Sequence, residues 1–145
     1  MTIMLLPAIA LLFFAGGTVA EERPGDALIG KWYTQCKKAI FDFYREGDEY
    51  RARLIALALP DLIDSLNPVD SLRLRKIAGA TTIRGLFYNP EKRRWQGGTI
   101  YNPSDGRTWS CNCRLLDGGK MLQFRGYLGI SALGQTQVWT KTQNE

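Results

Sequence analysis

Three thiols, one acidic cluster and a set of strand-borne aromatics are the side chains of this 145-residue sequence with chemistry to offer. There is no histidine, which removes Ser-His-Asp and Cys-His nucleophilic arrangements and any imidazole-ligated metal. Ser131, within Gly-Ile-Ser-Ala-Leu-Gly, superficially matches a nucleophile elbow. The spacing carries one residue too many, and no strand-to-helix context surrounds it. Cys111 and Cys113 stand two apart rather than in a Cys-x-x-Cys motif, with no cationic setting to activate a thiol. Three thiols without histidine also make a poor zinc site. Asp61, Asp64 and Asp70 with Asn67 form the densest acidic cluster. Its spacing fits neither a calcium loop nor paired carboxylates across a cleft, so cap and turn roles are expected. No catalytic residue, metal or cofactor is assigned, and the protein is read as a non-enzyme.

Binding chemistry is better represented. Trp95, Tyr101, Trp109, Tyr127 and Trp139 come from different predicted strands of one half of the chain. They can fill a solid core, or they can wall a cavity in which an apolar ligand packs against rings and a few polar groups orient it. Arg84 and Arg125 are the polar candidates, although alternation places each one position off the apolar face. An inward guanidinium would require a carboxylate from the protein or from a ligand, because an unpaired buried charge is too costly. These seven residues are the candidate ligand-binding set. A loop over 60–77, bearing Leu62, Ile63 and Leu66, is placed to cover the mouth of whatever they enclose.

The elements that must position them alternate with period two. Phe41 and Phe43 share a face over 39–45, Glu46-Gly47-Asp48 turns the chain, and Tyr50, Ala52, Leu54 and Ala56 share a face opposite Arg51 and Arg53. Alternation across a glycine turn is a hairpin signal. The segment from Leu59 breaks the pattern. Pro60 is placed to open a short helix and Asn67-Pro68 to end it. Strands resume after Ala78, with Ile83, Gly85 and Phe87 on one face and a turn at Asn89-Pro90-Glu91-Lys92. Gly97 and Gly98 predict a bulge or sharp bend in the strand that follows Trp95. After the Asn102-Pro103-Ser104-Asp105-Gly106 turn, Trp109, Cys111, Cys113 and Leu115 face one way, which sends both thiols inward. A turn at Asp117-Gly118-Gly119 leads to a strand with Leu122 and Phe124 inward, and 136–142 closes as the last strand. Seven or eight short strands at hairpin spacing predict an all-β antiparallel barrel or sandwich, and eight suffice to enclose packed side chains or one small ligand.

The first twenty residues carry no charged side chain and end in Thr18-Val19-Ala20. They read as a secretory signal with cleavage before Glu21, leaving one domain over 21–145 in the periplasm or outside the cell. An uncleaved anchor is the alternative reading. The net charge of +5 then belongs to the exported part. Export argues against a nucleic-acid partner. The short runs Arg73-Leu74-Arg75-Lys76 and Lys92-Arg93-Arg94 read first as solvated surface, then as contacts for an anionic envelope or membrane surface. In an oxidising compartment a bridge from Cys36 to Cys111 or Cys113 would close a loop of about 75 residues, worth about 4.5 kcal/mol in the chain-entropy treatment. Cys111 and Cys113, side by side on one strand, are disfavoured as partners of each other.

Two sets of residues resemble known families. Gly30-Lys31-Trp32 is similar to the Gly-x-Trp signature that opens lipocalins and other calycins. The stretches GATTIRGL, RWQGGTIYNPSDGRTWSC and LQFRGYLGISALGQTQVWTK resemble a domain-of-unknown-function family of exported bacterial proteins. The likeness is close over 79–141 and looser over the rest of the exported part. It implies a periplasmic, lipocalin-like barrel with no assigned activity; taken with the strand and loop readings above, the expected fold is an antiparallel up-and-down barrel with a short helical loop between early strands. The chain departs from the family pattern at Trp109, where Tyr is favoured, and at Lys141, where Arg is favoured. The resemblance to lipocalins also implies that Trp32 meets Lys141, a weaker stacking partner than Arg. Two functions are expected to compete. One is a non-catalytic barrel binding a small, partly apolar or amphipathic molecule such as a lipid or organic acid. The other is an envelope interaction protein with a filled barrel and a basic outer surface that docks an acidic protein, polymer or membrane.

Overall fold

The computed structural model describes residues 22–129 and 134–143. The expected signal segment over 1–20 and Ser131 lie outside the described residues. A 3-10 helix at Pro24–Leu28 precedes eight strands: β1 Gly30–Tyr33, β2 Ala39–Glu46, β3 Glu49–Leu57, β4 Thr81–Asn89, β5 Arg94–Asn102, β6 Arg107–Leu116, β7 Met121–Tyr127 and β8 Gly134–Lys141. Each pairs antiparallel with its sequence neighbour, and β1 pairs with β8 to close the barrel. Closure removes both sheet edges, which is how a short all-β chain satisfies every strand's backbone groups.

Alternation decides the interior. Phe41 and Phe43 from β2, Tyr50, Ala52 and Leu54 from β3, Cys111 and Cys113 from β6, Leu122 and Phe124 from β7, and Trp139 from β8 are all buried. The β2–β3 hairpin follows the predicted parity from Phe41 to Leu54, as does the run from Trp109 to Leu115; beyond Leu54 a bulge opposite Ile40 and Phe41 shifts the count, so Leu57 and not the expected Ala56 packs against the core. β4 does not. Ile83 and Leu86 are buried while Phe87 is half exposed, so Phe87 does not share the inner face with Ile83 as expected. The cause is a bulge: Tyr50 faces Leu86 and Ala52 faces Ile83, two steps on β3 against three on β4. Gly85 supplies the left-handed φ of 72° that this requires. β5 carries the matching irregularity between Trp95 and Gly98, where the glycines predicted one.

The two ends of the barrel differ. At one end the Pro24–Leu28 helix plugs the opening. Leu28 is fully buried, its carbonyl accepts from Trp32 Nε1 at 2.9 Å, and the Gly25 carbonyl accepts from Trp95 Nε1 at 3.2 Å. Asp26 accepts from the Tyr50 hydroxyl and from Arg45 Nε, both at 2.8 Å, which ties the plug to the β2–β3 hairpin. Beside it Lys141 Nζ sits 5.4 Å from the Trp32 ring centre, the contact that the lipocalin resemblance implied. Behind the plug Trp95 packs against Tyr50 and Tyr88, and this half of the interior is solid.

At the other end lie the β1–β2, β3–β4 and β5–β6 connections. The long β3–β4 connection contains helical structure, but not where the prolines predicted it. Its one 3-10 turn among the described residues is Asp70–Leu72, after Pro68. The preceding segment is instead a pair of turns, closed by Leu62 N–H to the Leu59 carbonyl and Asn67 N–H to the Asp64 carbonyl, with a single bridge from Ile63 to Lys76 between them. Leu62, Ile63 and Leu66 are exposed, and the loop is anchored by a polar group, the fully buried Asp64.

Candidate functional site

Above the solid half, the barrel is hollow. A cavity of about 240 Å³ opens between the β1–β2 and β5–β6 connections. Its deepest wall is a three-ring stack. The Trp139 indole lies between Phe41, at 4.8 Å and 11° between planes, and Phe124, at 4.3 Å and 8°. Such a stack is set by three inward positions on β2, β7 and β8, and offset ring packing adds roughly 1 kcal/mol per pair beyond buried area. Leu54, Ile100 and Trp109 continue the apolar wall, and Gly126, without a side chain, leaves the space between them open. Tyr101, Asn102, Gln135, Gln137 and Thr34 form the rim.

Among the described residues, no Lys, Arg, Asp or Glu lines this cavity. The two indole N–H groups are already engaged: Trp139 Nε1 donates to Gln137 Oε1 at 2.8 Å, and Trp109 Nε1 donates to Asp105 Oδ2 at 3.0 Å. The Tyr101 hydroxyl turns away from the cavity and donates to Asp64 Oδ1 at 2.5 Å. Burial and that carboxylate raise the Tyr101 phenol to about 12, so it stays protonated. Asp64 also accepts from Asn67 Nδ2 at 2.8 Å and from Arg75 Nε at 3.0 Å. Burial pushes the Asp64 carboxyl upward, but the three donors outweigh it and hold it below its ordinary value. The acidic cluster is thus structural at Asp64: it fixes the β3–β4 loop to the rim. What remains to meet a ligand is aromatic and aliphatic wall, with neutral amide and hydroxyl groups at the entrance.

The thiols play no part in the cavity. Cys111 and Cys113 face inward as predicted and are buried. Burial pushes Cys111 up to about 12, and burial together with the neighbouring thiol raises Cys113 well above the ordinary thiol value. Cys36 is exposed on the β1–β2 connection, 3.6 Å from Thr34 Oγ1, whose hydrogen bond lowers its pKa. All three are free, so the bridge expected from Cys36 to Cys111 or Cys113 is not formed. The reason is placement: Cys36 lies on a surface connection, whereas the other two point into a closed core from the β6 wall.

Of the seven residues singled out, the structure brings Tyr101, Trp109 and Trp139 together at the cavity. Trp95 belongs to the solid half behind the plug. Arg84, Arg125 and Tyr127 are corrected to the outer wall. Arg84 is exposed between inward Ile83 and the Gly85 bulge. Arg125 lies between inward Phe124 and cavity-lining Gly126, with Nη1 donating to Thr136 Oγ1 at 2.7 Å. Tyr127 pairs with outward Ser110 and lines an outer groove with Phe87 and Arg94. Phe41, Phe124, Gln135 and Gln137 were missed. Gln135, Gln137 and Trp139 share the inner parity of β8, a signal that the interest in rings alone passed over.

Compared with known proteins, residues 30–141 match the family described as "Uncharacterized protein conserved in bacteria (DUF2147)". A solved structure described as "Protein HP1028 from the human pathogen Helicobacter pylori belongs to the lipocalin family" is 26% identical, with a TM-score of 0.72 over 81% of this chain and 84% of that one. No curated protein matches.

Proposed function

The chain belongs to this family of bacterial proteins (DUF2147), and from that premise we propose that it is an exported, non-catalytic barrel that holds a small, partly apolar, uncharged molecule in its upper cavity. The observation that carries the reading is the division of the interior. One half is packed solid and plugged, while the other is an aromatic-walled hollow of about 240 Å³ with a neutral rim. A ring or a short hydrocarbon group fits against the Phe41–Trp139–Phe124 stack, and the amides of Asn102 and Gln135 meet its polar end. The cavity lies below the roughly 300–1,000 Å³ of sites for drug-sized ligands, so the occupant is small or enters in part. With Arg84 and Arg125 outside, a carboxylate ligand would find no cation within, which favours a neutral head over an organic acid. The solved relative described as a lipocalin supports a small-molecule role. The uncharged first twenty residues support export and a periplasmic or secreted location. The missing histidine and the two inert buried thiols support binding without catalysis. A wholly filled barrel that acts only through its exterior fits less well, because the upper half is hollow.

The test is native mass spectrometry of protein purified gently from its own cell envelope, with organic extraction of whatever accompanies it. A stoichiometric neutral molecule of small mass is the expected result. Protein that emerges empty, and that also fails to enhance the fluorescence of the neutral probe N-phenyl-1-naphthylamine, overturns the reading.

A further inference from the structure

We propose a second binding site on the outer wall of the barrel, specific for a small phosphate-type oxyanion. A concave groove of about 450 Å³ runs across β5, β6 and β7, lined by Lys92, Arg94, Arg114 and Arg125 together with neutral polar side chains. Among the described residues, no acidic one lines it. The ion pairs among the described residues lie elsewhere: they join Arg23, Arg45, Arg51, Arg73, Arg75 and Lys76 to carboxylates of residues 26–70, and none involves Lys92, Arg94 or Arg114. The wall carrying residues 92–125 therefore concentrates positive charge that the other wall neutralises.

Two details show more than a solvated surface. First, Trp95 lies opposite Cys113, so Arg94 and Arg114 are direct cross-strand neighbours on the outer face. Like charges so placed destabilise a sheet, and an anion between them removes that cost. Second, the Nε of Arg94 is buried and has no hydrogen-bond partner in the protein. A buried donor left without an acceptor is uncommon and asks for an explanation. Arg114 Nε donates to the neutral Gln123 Oε1 at 2.6 Å, which fixes this guanidinium without cancelling its charge, and Arg125 Nη1 donates to Thr136 Oγ1 at 2.7 Å.

Planar guanidinium forks recognise tetrahedral or carboxylate oxyanions through paired N–H donors, and convergence of several cations favours the multiply charged phosphate group. The concavity of the groove favours a small soluble anion over a flat membrane, which would meet only its rim. The site is independent of the inner cavity: its side chains point the other way from the same strands.

The experiment is titration of the protein with inorganic phosphate in dilute chloride buffer, followed by NMR of the Arg Nε–H and backbone amide signals. Saturable shifts at Arg94, Arg114 and Asn112, with phosphate affinity at least fivefold weaker in R94Q/R114Q, are expected. Asn112→Asp, which keeps every cation but adds a carboxylate to the groove lining, should weaken phosphate binding to a similar extent and gives a second route should the double variant not fold. Chloride at equal ionic strength producing the same shifts overturns the proposal. So does unchanged phosphate affinity in both variants, or binding to phosphatidylglycerol vesicles without any response to soluble phosphate.

Discussion

Replacing Gly126 by leucine should close the upper cavity while leaving the barrel folded. A Cβ built at Gly126 lies 4.0 Å from Ile100 Cγ2, 4.0 Å from Trp109 Cε3 and 3.9 Å from the Ser110 carbonyl, all ordinary contacts. The residue is not among those with positive φ, so an L side chain meets no backbone strain there. Leucine adds four carbons; at about the 30 Å³ that a water-sized group occupies, they take roughly 120 Å³, half of the cavity's 240 Å³. Burying about half of that side chain is worth about 1.5 kcal/mol at ~0.8 kcal/mol per methylene, and removing a strand glycine adds about 0.5 kcal/mol. The variant should therefore be more stable by about 1–2 kcal/mol, a rise in melting temperature of roughly 3–10 °C for a domain of this size. Binding of N-phenyl-1-naphthylamine, followed by fluorescence, should weaken at least tenfold, a loss of about 1.4 kcal/mol. Full probe affinity in a folded Gly126→Leu protein would refute the assignment of the cavity as the binding site. A lower melting temperature would refute the claim that the space is there to be filled.

Four further outcomes are expected. Under native conditions a maleimide should label Cys36 alone, with Cys111 and Cys113 reacting only after denaturation, because burial raises both inner thiols and Cys36 is exposed and lowered by Thr34; mass spectrometry that finds Cys36 already oxidised with one of them would contradict this. Asp64→Ala should cost about 2–3 kcal/mol, discounted because Arg75 is one-third exposed, and should loosen the β3–β4 loop to hydrogen exchange, since Tyr101 and Asn67 lose their acceptor. Asp64 and Asp26 both hold carboxyls below the ordinary value; their stabilisation is fully present above the unfolded value of about 3.9 and is lost as pH falls through the lower folded values, so denaturation midpoints should be flat from neutral pH to about 5 and drop only in strong acid, and Asp64→Ala should flatten that drop. Gly98→Ala should cost about 1–3 kcal/mol by thermal melting, because its Cβ would stand 2.6 Å from the buried Leu86 side chain and 3.0 Å from the Arg84 carbonyl.

Period-two alternation made the architecture legible wherever no residue was inserted. The part of the β2–β3 hairpin from Phe41 to Leu54 and the Trp109–Cys111–Cys113 face are cases in point. It failed at β4, where the Gly85 bulge shifts the parity by one and exchanges Leu86 for Phe87 as the inward residue. A glycine in a strand announces that a bulge is permitted, not on which side of it the count resumes. Tyr127 was misplaced for a different reason: the parity that sends Leu122 and Phe124 inward sends Tyr127 outward, and its ring chemistry was weighed above its position. Prolines marked the β3–β4 connection correctly as non-strand. They could not show that Asp64 anchors it, because one partner, Tyr101, comes from a strand 37 residues away and the other, Arg75, reaches Asp64 only once the loop has folded back on itself.

The same alternation explains how one thin wall can present two unrelated chemistries. On β7, Leu122, Phe124 and Gly126 look inward to a core and a neutral cavity, while Gln123 and Arg125 look outward to a cationic groove. On β6, Cys111 and Cys113 face in, and Asn112 and Arg114 face out. Neighbouring residues on a strand point to opposite faces, so inside and outside can carry different chemistry without sharing a side chain. The net charge of +5 sits on the outside, and the lining of the cavity carries none of it. A charged ligand entering the barrel would thus leave the cations behind and face only amides and rings, at a desolvation cost that nothing inside offsets. A neutral apolar one meets no such penalty. On the proposed function, the strand period would also set selectivity by charge, and moving a cation inward, as in Gln137→Lys at the rim beside Trp139, should let the cavity take up acids. Competition of decanoate against the neutral probe reads this directly: displacement by decanoate in the variant but not in the native protein is expected, and equal displacement in both would mean that the cavity does not discriminate by charge.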